Sequence, residues 1–143
     1  QILYAGTVEA VYKSCDGGET WHRSEPGRRP ITTFALALDP TDSRMVYAGT
    51  TEGVYKSTDG GETWQLSSLA GRPLTVTALA VDPAHPGTLY AGTEHHGVYR
   101  STDGGETWEQ WGVPGVSVYA IWADETGEAW LGTEEGVFKR ELD

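Results

Sequence analysis

The sequence predicts an all-β fold assembled from repeated four-stranded antiparallel sheets, and three observations predict it. One octapeptide pattern is written three times: Ser14-Cys15-Asp16-Gly17-Gly18-Glu19-Thr20-Trp21, Ser57-Thr58-Asp59-Gly60-Gly61-Glu62-Thr63-Trp64 and Ser101-Thr102-Asp103-Gly104-Gly105-Glu106-Thr107-Trp108. A second run, Tyr4-Ala5-Gly6-Thr7, returns as Tyr47-Ala48-Gly49-Thr50, as Tyr90-Ala91-Gly92-Thr93 and, weakened, as Trp130-Leu131-Gly132-Thr133. The first two intervals are 43 residues each, and the last, to Trp130, is 40. No segment carries a sustained helical period. A repeat of this length with four strand-like runs matches one blade of a β-propeller.

The runs of one unit can be lettered A to D. Strand A reads Thr33-Phe34-Ala35-Leu36-Ala37-Leu38-Asp39-Pro40, then 77–83 and 119–124. These runs are apolar on both faces, as a strand between two packed layers requires. Their small Ala residues suit the crowded region near a propeller axis. Trp122, standing where Ala37 and Ala80 stand in the other units, is expected to plug the channel. Strand B is the Tyr-Ala-Gly-Thr run, and strand C is the Val-Tyr-Lys-Ser run before each octapeptide. The octapeptide itself is a hairpin signal: an alternating run enters, Asp-Gly-Gly turns the chain, and Thr-Trp leads out into strand D. The Asp can accept backbone N–H groups of its own turn, and Ser and Thr hydroxyls can join that network. Asp16, Asp59 and Asp103 therefore read as turn staples, and the Trp as an apolar surface for a neighbouring layer.

Ser-x-Asp-x-Gly-x-Thr-Trp resembles the Asp-box, or BNR repeat. It fits Ser14/Asp16/Gly18/Thr20/Trp21, Ser57/Asp59/Gly61/Thr63/Trp64 and Ser101/Asp103/Gly105/Thr107/Trp108. The resemblance implies a propeller in which the box joins the third and fourth strands of a blade. Such repeats occur in sialidases, xyloglucan-cleaving glycosidases, sortilin-type receptors and photosystem II assembly factors. With its flanking strands the pattern covers nearly the whole chain. It is specific for fold and poorly specific for function.

The strand order expected is B-C-D over 1–29, A-B-C-D over 30–72, A-B-C-D over 73–115 and A-B-C over 116–143. That is about three and a half blades, whereas closed propellers hold about four to eight. The chain is thus expected to be a piece of a larger propeller, favoured by its start inside a blade, or a homo-oligomer whose arcs complete each other.

Because strand direction alternates, the D–A and B–C loops share one face. The resemblance makes this the face where ligands sit. Its candidates are Glu9, Glu52, Glu94, His95, His96 and Glu134 in B–C loops, Arg29 and Arg72 in D–A loops, and Trp111 in the third D–A loop. They could form a ring of charge; a solvated rim is the plainer reading. His95-His96 occupy the only B–C loop with an extra residue, and insertions are where function is grafted. Adjacent histidines on an extended chain point apart, however, and no third metal ligand stands at the right spacing. No metal and no cofactor are expected. Cys15, the only cysteine, excludes an intrachain disulfide.

A net charge of −11 argues against nucleic acid and anionic membranes as partners. No apolar run approaches the length of a membrane span. The expected partner is a protein or a glycan. A glycosidase needs two carboxyls at a set separation, and no glutamate here is singled out. A sialidase would further need three arginines, a Tyr/Glu pair and an acid/base Asp, none of which can be placed. Its Phe/Tyr-Arg-Ile-Pro motif is not matched by Arg28-Arg29-Pro30-Ile31. The leading expectation is a non-catalytic binding or assembly scaffold. The alternatives are an arc of a sialidase-like or xyloglucanase-like hydrolase and a self-associating repeat module.

Overall fold

A computed structural model describes residues 1–142; Asp143, the last residue of the range 116–143, lies outside them. The first sheet contains β1 (Leu3–Gly6), β2 (Val11–Ser14) and β3 (His22–Ser24). The second contains β4 (Thr33–Leu38), β5 (Val46–Thr50), β6 (Gly53–Ser57) and β7 (Gln65–Ser67). The third contains β8 (Val76–Val81), β9 (Leu89–Thr93), β10 (Gly97–Ser101) and β11 (Glu109–Gly112). The fourth contains β12 (Val118–Ala123), β13 (Glu128–Thr133) and β14 (Gly136–Glu141). Each sheet is an antiparallel meander in chain order. The chain is all-β, a propeller arc of about three and a half blades. The one helical element among the described residues is a 3-10 turn at Leu69–Gly71.

Each inner strand ends just before the aspartate that closes its apolar run, because that aspartate turns the chain. Asp39 Oδ1 accepts the backbone N–H of Thr41 at 2.7 Å, Asp82 Oδ1 that of Ala84 at 2.9 Å, and Asp124 Oδ1 that of Thr126 at 2.9 Å. These are Asx-turns, so the second and third sheets carry a second aspartate staple besides the box, and the fourth carries this one alone. The Thr of strand B pins the B–C turn in the same repeated way. Its hydroxyl donates to a turn carbonyl in all four units: Thr7 to Ala10 (2.9 Å), Thr50 to Gly53 (3.0 Å), Thr93 to Gly97 (2.7 Å) and Thr133 to Gly136 (2.8 Å).

The core lies between sheets. Val11, Ala48, Tyr55 and Ile31 join the first and second. Tyr47, Val54, Val76, Leu89 and Tyr99 join the second and third. Tyr90, Val98, Val118, Ala129 and Leu131 join the third and fourth. The glycine of strand B sets the spacing. A Cβ on Gly49 would lie 2.8 Å from Val76 Cγ1, and one on Gly92 2.8 Å from Val118 Cγ1. Only hydrogen fits there.

Along the axis the inner strands leave an apolar groove of about 300 Å³, lined by Leu38, Leu79, Val81, Pro83 and Trp122 among others. Trp122, expected as a plug, is 60% exposed and forms part of the groove wall. Among the described residues the four sheets form an arc, and Trp122 stands at its open groove.

Candidate functional site

The box geometry is the same in every copy. Ser57 Oγ accepts the N–H of Gly61 at 2.8 Å and donates to Asp59 Oδ1 at 2.8 Å. Asp59 Oδ1 also accepts the N–H groups of Thr63 (2.9 Å) and Glu62 (3.1 Å), and Oδ2 accepts the Thr63 hydroxyl at 2.5 Å. Gly60 and Gly61 have φ of 71° and 85°, a backbone that favours glycine. Ser101, Asp103 and Thr107 repeat the network, as do Ser14, Asp16 and Thr20. The Thr63 hydroxyl, then the Thr63 N–H and the Ser57 hydroxyl, hold the Asp59 carboxyl down to about 2. The same donors lower Asp16 and Asp103.

The box also reaches back to the preceding sheet. Trp64 Nε1 donates to Ser24 Oγ at 2.9 Å, and Ser24 Oγ donates to the Gly61 carbonyl. Tyr4 donates to the Gly60 carbonyl at 2.9 Å, and Lys13 Nζ lies 3.1 Å from Glu62 Oε1. One unit later the same four links recur. Trp108 bonds Ser67 (2.9 Å), Ser67 bonds Gly105, Tyr47 bonds Gly104 (3.4 Å), and Lys56 pairs with Glu106 (2.6 Å). Ser24 and Ser67, Tyr4 and Tyr47, and Lys13 and Lys56 are each 43 residues apart. That spacing was the available signal for a latch the motif alone does not show. Box 1 has no sheet before it, so Trp21 donates to its own Gly18 carbonyl at 3.1 Å and is 41% exposed.

On the opposite loop face, Glu52 accepts from Arg29 Nη2 at 2.5 Å and from the Tyr55 hydroxyl at 2.8 Å. Arg29, then Tyr55, lower the Glu52 carboxyl; burial, then Glu52, pushes the Tyr55 phenol up to about 12. Glu134 Oε1 accepts the Ser117 N–H at 2.8 Å. Glu9 lies 3.9 Å from Arg23, a residue of β3. Arg72 and Glu94 are exposed.

The histidine loop departs from the extended chain expected. His95 adopts φ 64°, its N–H donates to the buried Ser117 Oγ at 3.1 Å, and its Nδ1 lies 2.9 Å from the same hydroxyl. The extra residue of this loop is taken up by that left-handed step. His96 Nδ1 is 2.8 Å from the Glu94 carbonyl, so that nitrogen carries the proton. Among the described residues no three His, Cys, Asp or Glu gather to hold a metal ion.

Trp111 is a correction. It is not in a loop but in strand β11, 7% exposed, tilted against Tyr90 with ring centroids 4.6 Å apart. The Arg140 guanidinium lies 4.2 Å from its ring centroid. Strand D runs longer in this sheet, with a register shift after Val98 that carries the indole into the layer between the third and fourth sheets.

The model of the Sortilin-Vps10 family (Sortilin, neurotensin receptor 3) matches residues 9–134. The chain belongs to this family. The Sortilin-Vps10 chain is similar in structure to an ancestral GH74 enzyme, with a TM-score of 0.81, 23% identity, and coverage of 96% of this chain and 21% of that one. It is similar to the GH74 xyloglucanase of Xanthomonas campestris, at TM-score 0.82 and 18% identity, over 99% of this chain and 27% of the other. It is also similar to YCF48 bound to D1 peptide, at TM-score 0.71 and 16% identity, over 96% and 45%. The chain spans about a fifth to a quarter of the length of the two GH74 enzymes. No curated protein gives a significant match. At these identities the structural likenesses establish the fold, and the Asp-box propeller resemblance read from the sequence stands.

Proposed function

We propose that this chain is a non-catalytic binding scaffold that takes up a polypeptide segment on the face formed by its B–C and D–A loops. The carrying observation is the state of Glu52. Arg29 and Tyr55 both donate to it and keep it ionised. A general acid in glycoside cleavage needs the opposite, a raised carboxyl, so Glu52 does not suit that one role. Here the carboxylate ties a D–A loop to a B–C loop, as Glu134 does through the Ser117 N–H. Loops held in this way present a preorganised rim, which lowers the ordering cost of binding. A net charge of −11 and the exposed Glu94 and Glu135 favour a segment of net positive charge. The likeness to YCF48, bound to a D1 peptide in its own structure, supports a peptide over a glycan. In this reading the boxes are structural and hold the blades that carry the rim.

The test is calorimetric titration with short lysine-containing and acidic peptides and with xyloglucan oligosaccharides. Binding of the cationic peptides, weakened by salt and by Glu94→Gln with Glu135→Gln, is expected. Turnover of a glycoside that is lost in Glu52→Gln would overturn the reading in favour of a hydrolase.

A further inference from the structure

The latch between neighbouring sheets leaves a crevice open beside it, and it does so twice. The first, of about 370 Å³, lies between β3 and the second box and is lined by Lys13, His22, Arg23, Ser24, Glu25 and Glu62 among others. The second, of about 290 Å³, lies between β7 and the third box and is lined by Lys56, Gln65, Leu66, Ser67, Ser68 and Glu106 among others. The lysine, the strand serine and the box glutamate belong to the latch in both. Three positions that the latch does not use differ between them, each 43 residues apart: His22 against Gln65, Arg23 against Leu66 and Glu25 against Ser68. Holding the sheets together therefore calls for no imidazole, guanidinium or second carboxylate, yet the first crevice has all three.

Every charge in the first crevice has a partner, and no pair is saturated. Lys13 Nζ lies 3.1 Å from Glu62 Oε1, Arg23 Nε lies 2.7 Å from Glu25 Oε1, and Arg23 Nη1 lies 3.9 Å from Glu9 Oε2. His22 stands opposite Lys13 in the β2–β3 register and is exposed. An ammonium and a guanidinium each carry several N–H donors, and each carboxylate oxygen accepts more than once. Each pair therefore keeps a donor and an acceptor side by side. An added anion would face Glu9, Glu25 and Glu62, and an added cation would face Lys13 and Arg23. A hydroxyl suits both members of a pair, because it accepts from the cation and donates to the carboxylate without parting them. The volume falls at the small end of ligand pockets, which span about 300–1,000 Å³. We propose that this crevice, beside the last strand of the first sheet, binds a neutral mono- or disaccharide. Lys13 with Glu62 and Arg23 with Glu25 each hold hydroxyls, and His22 adds a donor and an acceptor beside them. The site lies apart from the loop face and does not rest on what that face binds.

The experiment is residue-resolved NMR titration with glucose, galactose, N-acetylglucosamine and maltose, and with sulfate and lysine as ionic probes. At least one sugar should produce saturable shifts at Lys13, His22, Arg23 and Glu62 at millimolar concentration, while the signals of Lys56 and Gln65 stay in place. His22→Gln with Arg23→Leu and Glu25→Ser gives the first crevice the lining of the second and keeps the latch. This variant should weaken binding about tenfold or more through the loss of charged hydrogen bonds. Circular dichroism checks that it folds, and His22→Gln alone, at an exposed position, should weaken binding in the same direction. No saturable shift from any of the sugars, a stronger response to sulfate or lysine, equal shifts in both crevices, shifts confined to the loop face, or a folded triple variant that binds like the parent overturns the proposal.

Discussion

Ser24→Ala removes one hydroxyl and breaks the junction between the first and second sheets at two points. Ser24 is 8% exposed, and its Oγ both accepts from Trp64 Nε1 and donates to the Gly61 carbonyl. Alanine leaves both groups without that partner. A buried polar group left unanswered costs about 1–3 kcal/mol. Trp64 is only half-buried, so water reaches part of the vacancy, and the sum falls at about 2–4 kcal/mol. For a chain of this size each kcal/mol moves the melting temperature by about 2–4 °C, giving a drop of about 5–15 °C. Thermal unfolding followed by tryptophan fluorescence and circular dichroism measures it. Trp64→Phe removes the same donor from the other side. The double variant should therefore show a coupling of about 1 kcal/mol instead of additive losses. Trp21→Phe is the internal control and should melt with the parent protein, because the Trp21 N–H bonds within its own exposed turn. A Ser24→Ala protein that melts with the parent, or an additive cycle, would refute the latch.

The box aspartates predict an acid limit. The folded carboxyl of Asp59 sits at about 2, below its ordinary 3.8, so its contribution is complete above the ordinary value and is lost as pH falls toward 2. Melting temperature should decline through that window, and Asp59→Asn should flatten part of the decline; a profile unchanged by the substitution would contradict the assignment. Strand-B glycines offer a second comparison. Gly92→Ala should destabilise by about 1–3 kcal/mol in urea, because its Cβ would press on Val118 of the next sheet at 2.8 Å. Gly132→Ala should be close to neutral, since its nearest neighbour, Ala120 Cβ, lies at an ordinary 3.5 Å.

The repeat by itself determined the all-β class, the propeller blade and the order of the 14 strands among the described residues. Those are local matters. A 43-residue period, alternating apolar runs and Asp-Gly-Gly turns act within a few residues of one another, and the chain displays them in one dimension. Tertiary structure decided which of several identical residues are buried. Trp21 and Trp64 both follow an Asp-Gly-Gly-Glu-Thr run, yet only Trp64 has a described sheet before it to supply a serine hydroxyl. Trp111 reads as a loop residue until β11 extends and Arg140, from another sheet, covers it. His95 reads as part of an extended pair until Ser117, 22 residues on, fixes its left-handed turn. These outcomes depend on groups brought together by packing between sheets, and a motif confined to one hairpin carries no record of the sheet beside it.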